Sequence, residues 1–216
     1  MMKIYADPIT VNCRKVLAGL KLLGIAYERE HVDYFQGEQK SPAYMAINPN
    51  AALPALVEGD FVLWESNAIL QYAADKHNKN AYYPTDLQTR ADINRWLLWE
   101  SSSWFPSCYV YLVENCVKPL LGDHADPAIL AAQADTFHKL AGILDARLAT
   151  SDWLCGPSVT IADIIVAAPM HLHAVQGLPL DLHPHLLHWM KERIEPLPCW
   201  EETYVGPGFS LEKPAA

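Results

Sequence analysis

The chain has 216 residues, 51% of them hydrophobic, with 25 acidic against 16 basic side chains and a formal charge of −9. That length and apolar content suit one large or two small packed domains and exclude a disordered chain. The acidic balance, without a Lys/Arg-rich run to follow a phosphate backbone, argues against a nucleic-acid partner. No apolar stretch reaches the roughly 18 residues that suggest a membrane span, and the N-terminus MMKIYADP carries no charged-then-apolar leader, so a cytoplasmic location is expected. The five cysteines, Cys13, Cys108, Cys116, Cys155 and Cys199, are odd in number and scattered, without a CxxC pair or zinc spacing. They read as reduced thiols, mostly in the core.

Lys3 to Ala6 begins as a short strand. Cys13 to Gly24 has helical spacing through Val16, Leu17, Leu20 and Leu23 and ends at a Gly suited to the C′ position. Ala26 to Val32 reads as a second strand, Ser41 to Met45 as a short helical turn. Pro54 to Val57, a Glu-Gly-Asp turn and Phe61 to Trp64 then form a hairpin, and a helix opens with Ser66 as N-cap. The right-handed crossover rule makes the first two strands parallel.

Two features of this stretch point to a ligand. Pro54 lacks an N–H, so it opens a strand only at a sheet edge or at the strand's first residue, which leaves the N–H and C=O of Leu53 open to an extended peptide. The spacing alone does not decide whether the Leu53–Pro54 bond is cis. The start of the helix at Ser66 offers N–H groups and a positive dipole end to a carboxylate. Together these describe a site for a short acidic peptide.

The loop Pro8-Ile9-Thr10-Val11-Asn12-Cys13 lies at the carboxyl end of a strand and the start of a helix, the usual ligand position in open α/β sheets. A thiol placed there is more acidic, and the Thr10 hydroxyl can donate to the thiolate. Thr10 and Asn12 could equally serve as caps of the first helix, and Cys13 reads as a packed helix residue rather than a nucleophile.

NPNAALPAL (48–56) followed by ESNAI (65–69) resembles the glutathione-binding half of a cytosolic glutathione S-transferase. The resemblance implies a thioredoxin-like βαβαββα domain over residues 1–77, a linker over 78–86, and an all-helical domain over 87–216 with a co-substrate pocket. It implies that Leu53, with Pro54, pairs with the cysteinyl part of glutathione. Glu65 and Ser66 would hold the γ-glutamyl amine and carboxylate, and Lys40 would reach the glycyl carboxylate. Thr10 falls where theta- and phi-like members carry their catalytic Ser, and Thr10-Val11-Asn12 is similar to the Thr-x-Asn of nu-like members. The implied catalytic pair is therefore Thr10 assisted by Asn12, stabilising the sulfur of bound glutathione for attack on a small hydrophobic electrophile. The resemblance also implies a homodimer. Two departures stand against it: Ala51 and Ala52 replace a Gly and a polar Gln or Lys found in many relatives, and Gln39-Lys40 matches the His-Lys of theta-like members only in part. The alternatives are a nu-like, glutathione-dependent disulfide reductase or peroxidase, and a non-catalytic binding module on the same fold.

Asn78 to Asp86 breaks the pattern with Asn and Pro. After it, Leu87 to Val117 and Ala128 to Ala149 have helical spacing, with a kink expected at Pro106. Trp96, Trp99, Trp104, Phe105, Tyr109 and Tyr111, with Ser101 to Ser103 among them, are expected to divide between core and pocket. Thr160 to Asp163 reads as a capping box opening an apolar helix, Ile161 to Val175. His171 and His173, two apart on a helix, point different ways, and His185 and His188 share a face without an evident third ligand, so no metal site is expected. The Gly- and Pro-containing tail, Gly206 to Ala216, is expected to be loose or to lie over the cleft.

Overall fold

Residues 1–205 are described by a computed structural model. The expectation for the tail, Gly206 to Ala216, lies outside the described residues. The chain divides into two compact units, Met1–Lys79 with the segment from Pro198 onward, and Asn80–Leu197.

The first unit runs β1 (Lys3–Ala6), α1 (Val11–Leu22), β2 (Glu28–His31), α2 (Pro42–Met45), β3 (Ala55–Glu58), β4 (Phe61–Trp64) and α3 (Ser66–Lys76). Its sheet has the order β2-β1-β3-β4, with β1 parallel to β2 and the other pairs antiparallel. This is the thioredoxin-like layout. Ile4 and Ala6 alternate inward along β1 as a half-buried strand requires. The second strand is shorter than the expected Ala26 to Val32, because β2 pairs only with β1 and pairing stops where β1 stops.

Gly24 ends α1 as expected. At φ +61° it takes the left-handed C′ position; its N–H bonds Lys21 C=O at 3.0 Å and the Ile25 N–H bonds Leu20 C=O at 3.0 Å, the double closure of a Schellman motif. Gly19 has a different reason. A Cβ there would stand 2.5 Å from Leu70 Cδ2, so the missing side chain lets α1 lie close to α3. Gly19→Ala should therefore lower stability by about 1–3 kcal/mol in chemical denaturation, the usual cost of overpacking.

Three expectations are corrected in this unit. β3 is an inner strand between β1 and β4, so the peptide-binding argument cannot rest on a sheet edge. Pro54 instead satisfies the second condition, preceding the first paired residue, Ala55. The Leu53–Pro54 bond is cis. The N-cap of α3 is Glu65, and Ser66 is the first helical residue. Helix α1 starts at Val11, which moves Asn12 and Cys13 from the loop onto its first turn.

The second unit is helical: α4 (Leu87–Trp99), α5 (Phe105–Leu112), α6 (Lys118–Leu120), α7 (Pro127–Leu148), α8 (Ile161–Ala167), α9 (His173–Gln176) and α10 (Pro184–Trp189). Proline widens its helices. The residue before Pro106, Pro119 or Pro196 donates to the carbonyl five back: Phe105 to Glu100, Lys118 to Val113, Glu195 to Met190. A proline ring clashes with the carbonyl four residues earlier, and a π-turn relieves the crowding without ending the helix. Trp104 lies at the centre, fully buried, its indole N–H donating to Val166 C=O at 3.1 Å and its ring 5.3 Å from Phe137. Trp96 and Tyr111 are core as well, whereas Trp99, Phe105 and Tyr109 keep part of their surface exposed.

The apolar helix predicted over Ile161 to Val175 is not continuous. It breaks after Ala167 into a 3₁₀ turn, Ala168–Met170, because Pro169 cannot donate into the ladder. The fully buried Gln176 side chain bridges the break, donating to Pro169 C=O at 3.0 Å and accepting from Leu172 N–H at 3.2 Å. The capping box at its head is formed, as the Thr160 and Asp163 spacing predicts.

Candidate active site

The loop after β1 is shaped by Asp7. Its carboxylate accepts from Ile9 N–H at 3.2 Å and Tyr34 N–H at 3.0 Å, and its carbonyl accepts from Thr10 N–H at 3.0 Å. Thr10 occupies the N-cap position of α1, but its side chain does not cap: the hydroxyl donates to Asp7 C=O at 3.1 Å. Among the described residues the N–H groups of Val11, Asn12 and Cys13 find no backbone acceptor. The positive end of α1 therefore opens at Thr10 with unused donors.

Cys13 is fully buried one turn in, and burial pushes its thiol up to about 12 against the lowering influence of the Thr10 hydroxyl. A thiol of that pKa carries almost no thiolate at neutral pH, so Cys13 is a core residue. A reactive sulfur at Thr10 has to arrive with a ligand.

Helix α3 starts without a side-chain cap as well. Glu65, exposed, holds a positive φ of 73°, a conformation non-glycine residues adopt only where the surroundings enforce it and one that clusters at functional sites. Ser66 is buried, and its hydroxyl lies 3.4 Å from Asn12 Oδ1. The starts of α1 and α3 are thus joined, bringing Thr10, Asn12 and Ser66 to one end of the unit.

Leu53 reaches the same unit through a braced loop. Tyr44 Oη and Asn48 Nδ2 both donate to Ala52 C=O at 2.7 Å, and Asn48 Oδ1 accepts from Asn50 N–H at 3.1 Å. Leu53 itself is buried and its N–H and C=O have no partner among the described residues. Ala51 carries φ +51°, in the left-handed region that favours glycine. Lys40 is exposed at the end of a 3₁₀ turn, Glu38–Lys40.

Sequence reasoning gave Gln39 only a partial motif match and missed Lys15. Gln39 is buried with its Oε1 unbonded among the described residues, beside the exposed Lys40. Lys15 is 2% exposed and donates from Nζ to Ser66 Oγ at 3.2 Å and Asn67 Oδ1 at 3.2 Å. Its signal was available: Lys15 stands four residues after Val11 and three before Ala18, on the buried face of α1.

Comparisons with known proteins agree with this architecture. The model for the glutathione S-transferase N-terminal domain matches residues 11–76, and that for the C-terminal domain matches residues 127–192. Glutathione S-transferase theta-1 of Mus musculus is 32% identical over 199 residues, covering 90% of this chain and 82% of its own. The crystal structure of glutathione transferase F7 from Populus trichocarpa superposes with a TM-score of 0.86 at 27% identity, over 94% of this chain and 97% of that one. A structure of glutathione S-transferase-I bound with lactoylglutathione does so with a TM-score of 0.83 at 25% identity, over 94% and 97%. The chain belongs to the glutathione S-transferase family.

Proposed function

We propose that the protein is a glutathione transferase that lowers the pKa of the glutathione thiol at Thr10 and directs the thiolate at a small hydrophobic electrophile. The observation that carries this is the pair of helix N-termini, neither capped by a side chain, joined through Asn12 and Ser66. One suits a thiolate and the other a carboxylate, which are two of the charges of one tripeptide. Leu53, ahead of Pro54, offers the cysteinyl residue a backbone donor and acceptor that have no partner among the described residues, and Glu65 offers the γ-glutamyl amine an exposed carboxylate. Lys40 is a solvent-facing cation for the glycyl carboxylate.

The chemistry then needs little from the protein. The glutathione thiol loses its proton to solvent, Thr10 swings its hydroxyl hydrogen bond from Asp7 C=O to the resulting thiolate, Asn12 adds an amide donor, and the α1 dipole favours the negative charge. The thiolate attacks the electrophile, a thioether bond forms, and the leaving group departs with its electron pair. Binding both reactants in one place contributes the remainder.

Product analysis tests the reaction type. Incubation with glutathione and an aryl or alkyl halide should yield a thioether conjugate detectable by mass spectrometry. Oxidised glutathione as the main product, from a disulfide or peroxide, would support the nu-like reductase reading instead. We also place the protein in the cytoplasm, in line with five free cysteines, and as a homodimer, in line with the exposed Phe61, Val62 and Trp64 of β4. Detoxification is the corresponding physiological role. Light scattering should give twice the 24.2 kDa chain mass.

A further inference from the structure

We propose that Lys15 is a positioning residue of the glutathione site, acting through Ser66 and Asn12; the inference rests on the reading of that site as one that stabilises a thiolate. A lysine is almost never fully buried without a purpose for its charge, and its long stem ordinarily lets the head reach water. Lys15 instead turns inward between α1 and α3 and spends donors on two side chains at the start of α3, Ser66 and Asn67. The neighbouring Arg14 is directed elsewhere, to Trp200 C=O at 3.1 Å and the Trp200 ring at 4.4 Å.

The direction of the bonds matters. An ammonium only donates, so the Ser66 oxygen is the acceptor in its bond with Lys15 and keeps its own proton for another partner. That partner is Asn12 Oδ1, at 3.4 Å. With Oδ1 held by Ser66, the Asn12 amide presents its NH₂ group on the opposite side, and only that end can donate to a thiolate. Reversed, the amide would aim a carbonyl oxygen at the sulfur and oppose ionisation. Lys15 thus sets the polarity of a relay, Lys15 to Ser66 to Asn12, and its charge adds to the positive end of α3 that meets the carboxylate.

A simple packing bridge between two helices would not do this, and the two roles separate experimentally. The measurement is thiolate absorbance at saturating glutathione, with KM determined alongside, for the full chain and for Lys15→Met, Asn12→Ala and the double variant. Lys15→Met should lower the thiolate-to-thiol ratio about tenfold, the change produced by one pKa unit, and raise KM for glutathione. The double variant should form no less thiolate than Asn12→Ala alone, because the lysine acts through that amide. Multiplying losses in the double variant, or an undiminished signal in Lys15→Met, overturns the inference. Should Lys15→Met fail to fold, Ser66→Ala decides: loss of thiolate at saturation is expected, and full thiolate with only a raised KM overturns it. A wild-type complex without thiolate absorbance is a different failure, since it removes the reading of the site itself.

Discussion

Replacing Thr10 by alanine should reduce kcat/KM for glutathione conjugation about 10- to 100-fold, the effect of raising a thiol by one to two pKa units. The loss should appear in the thiolate absorbance of the complex, with the affinity for glutathione little altered. The reason is local. Thr10 stands at the open start of α1, where the N–H groups of Val11, Asn12 and Cys13 find no backbone acceptor among the described residues, and its hydroxyl is the donor nearest to that opening in the chain. Thr10→Ser keeps the hydroxyl and should keep most of the activity. Cys13→Ala should change the thiolate signal little, since burial already holds that thiol near 12. If instead Cys13→Ala abolishes activity and Thr10→Ala does not, the sulfur belongs to the protein and the borrowed-thiol mechanism fails.

The second large effect is on stability. Asp163→Ala should cost about 3–5 kcal/mol, measured by urea unfolding, because it leaves buried donors without acceptors and removes a cap. The fully buried Asp163 carboxylate accepts from Leu154 N–H at 2.9 Å, Thr160 N–H at 2.8 Å and Thr160 Oγ1 at 3.1 Å. Burial, which outweighs these hydrogen bonds, pushes its pKa from 3.8 up to about 6. A folded-state pKa raised above the unfolded one stabilises the fold fully below the unfolded value, and that contribution is lost as pH rises through about 6. The difference in stability between wild type and Asp163→Asn should therefore shift in favour of wild type as pH falls from 7 to 5. A pH-independent difference would contradict the assignment.

Much of the first unit was legible because its signals are local and redundant. The hairpin is marked by Glu-Gly-Asp between two apolar runs, α1 by its spacing and Gly24, and the parallel pairing of β1 and β2 by the crossover rule. What escaped depends on the rest of the fold. Whether β3 lies at an edge is decided by β4 covering its far side, so the edge inferred from Pro54 was one of two possibilities and the wrong one. The α3 cap moved by one residue because Glu65 adopts a positive φ that no propensity favours. In the second unit the apolar run from Ile161 to Val175 hid the break at Pro169, since a buried Gln176 repairs it from seven residues away. Lys15 was hidden by its type: a charged residue on a helix is read as solvated until its partners on α3 are seen.

The account depends most on where a bound tripeptide lies. Crystals soaked with glutathione should show its γ-glutamyl carboxylate at the start of α3 beside Ser66, its cysteinyl backbone against Leu53, and its sulfur within hydrogen-bond reach of Thr10 Oγ1. A tripeptide absent from this end of the unit, or bound there with its sulfur far from Thr10, would contradict it.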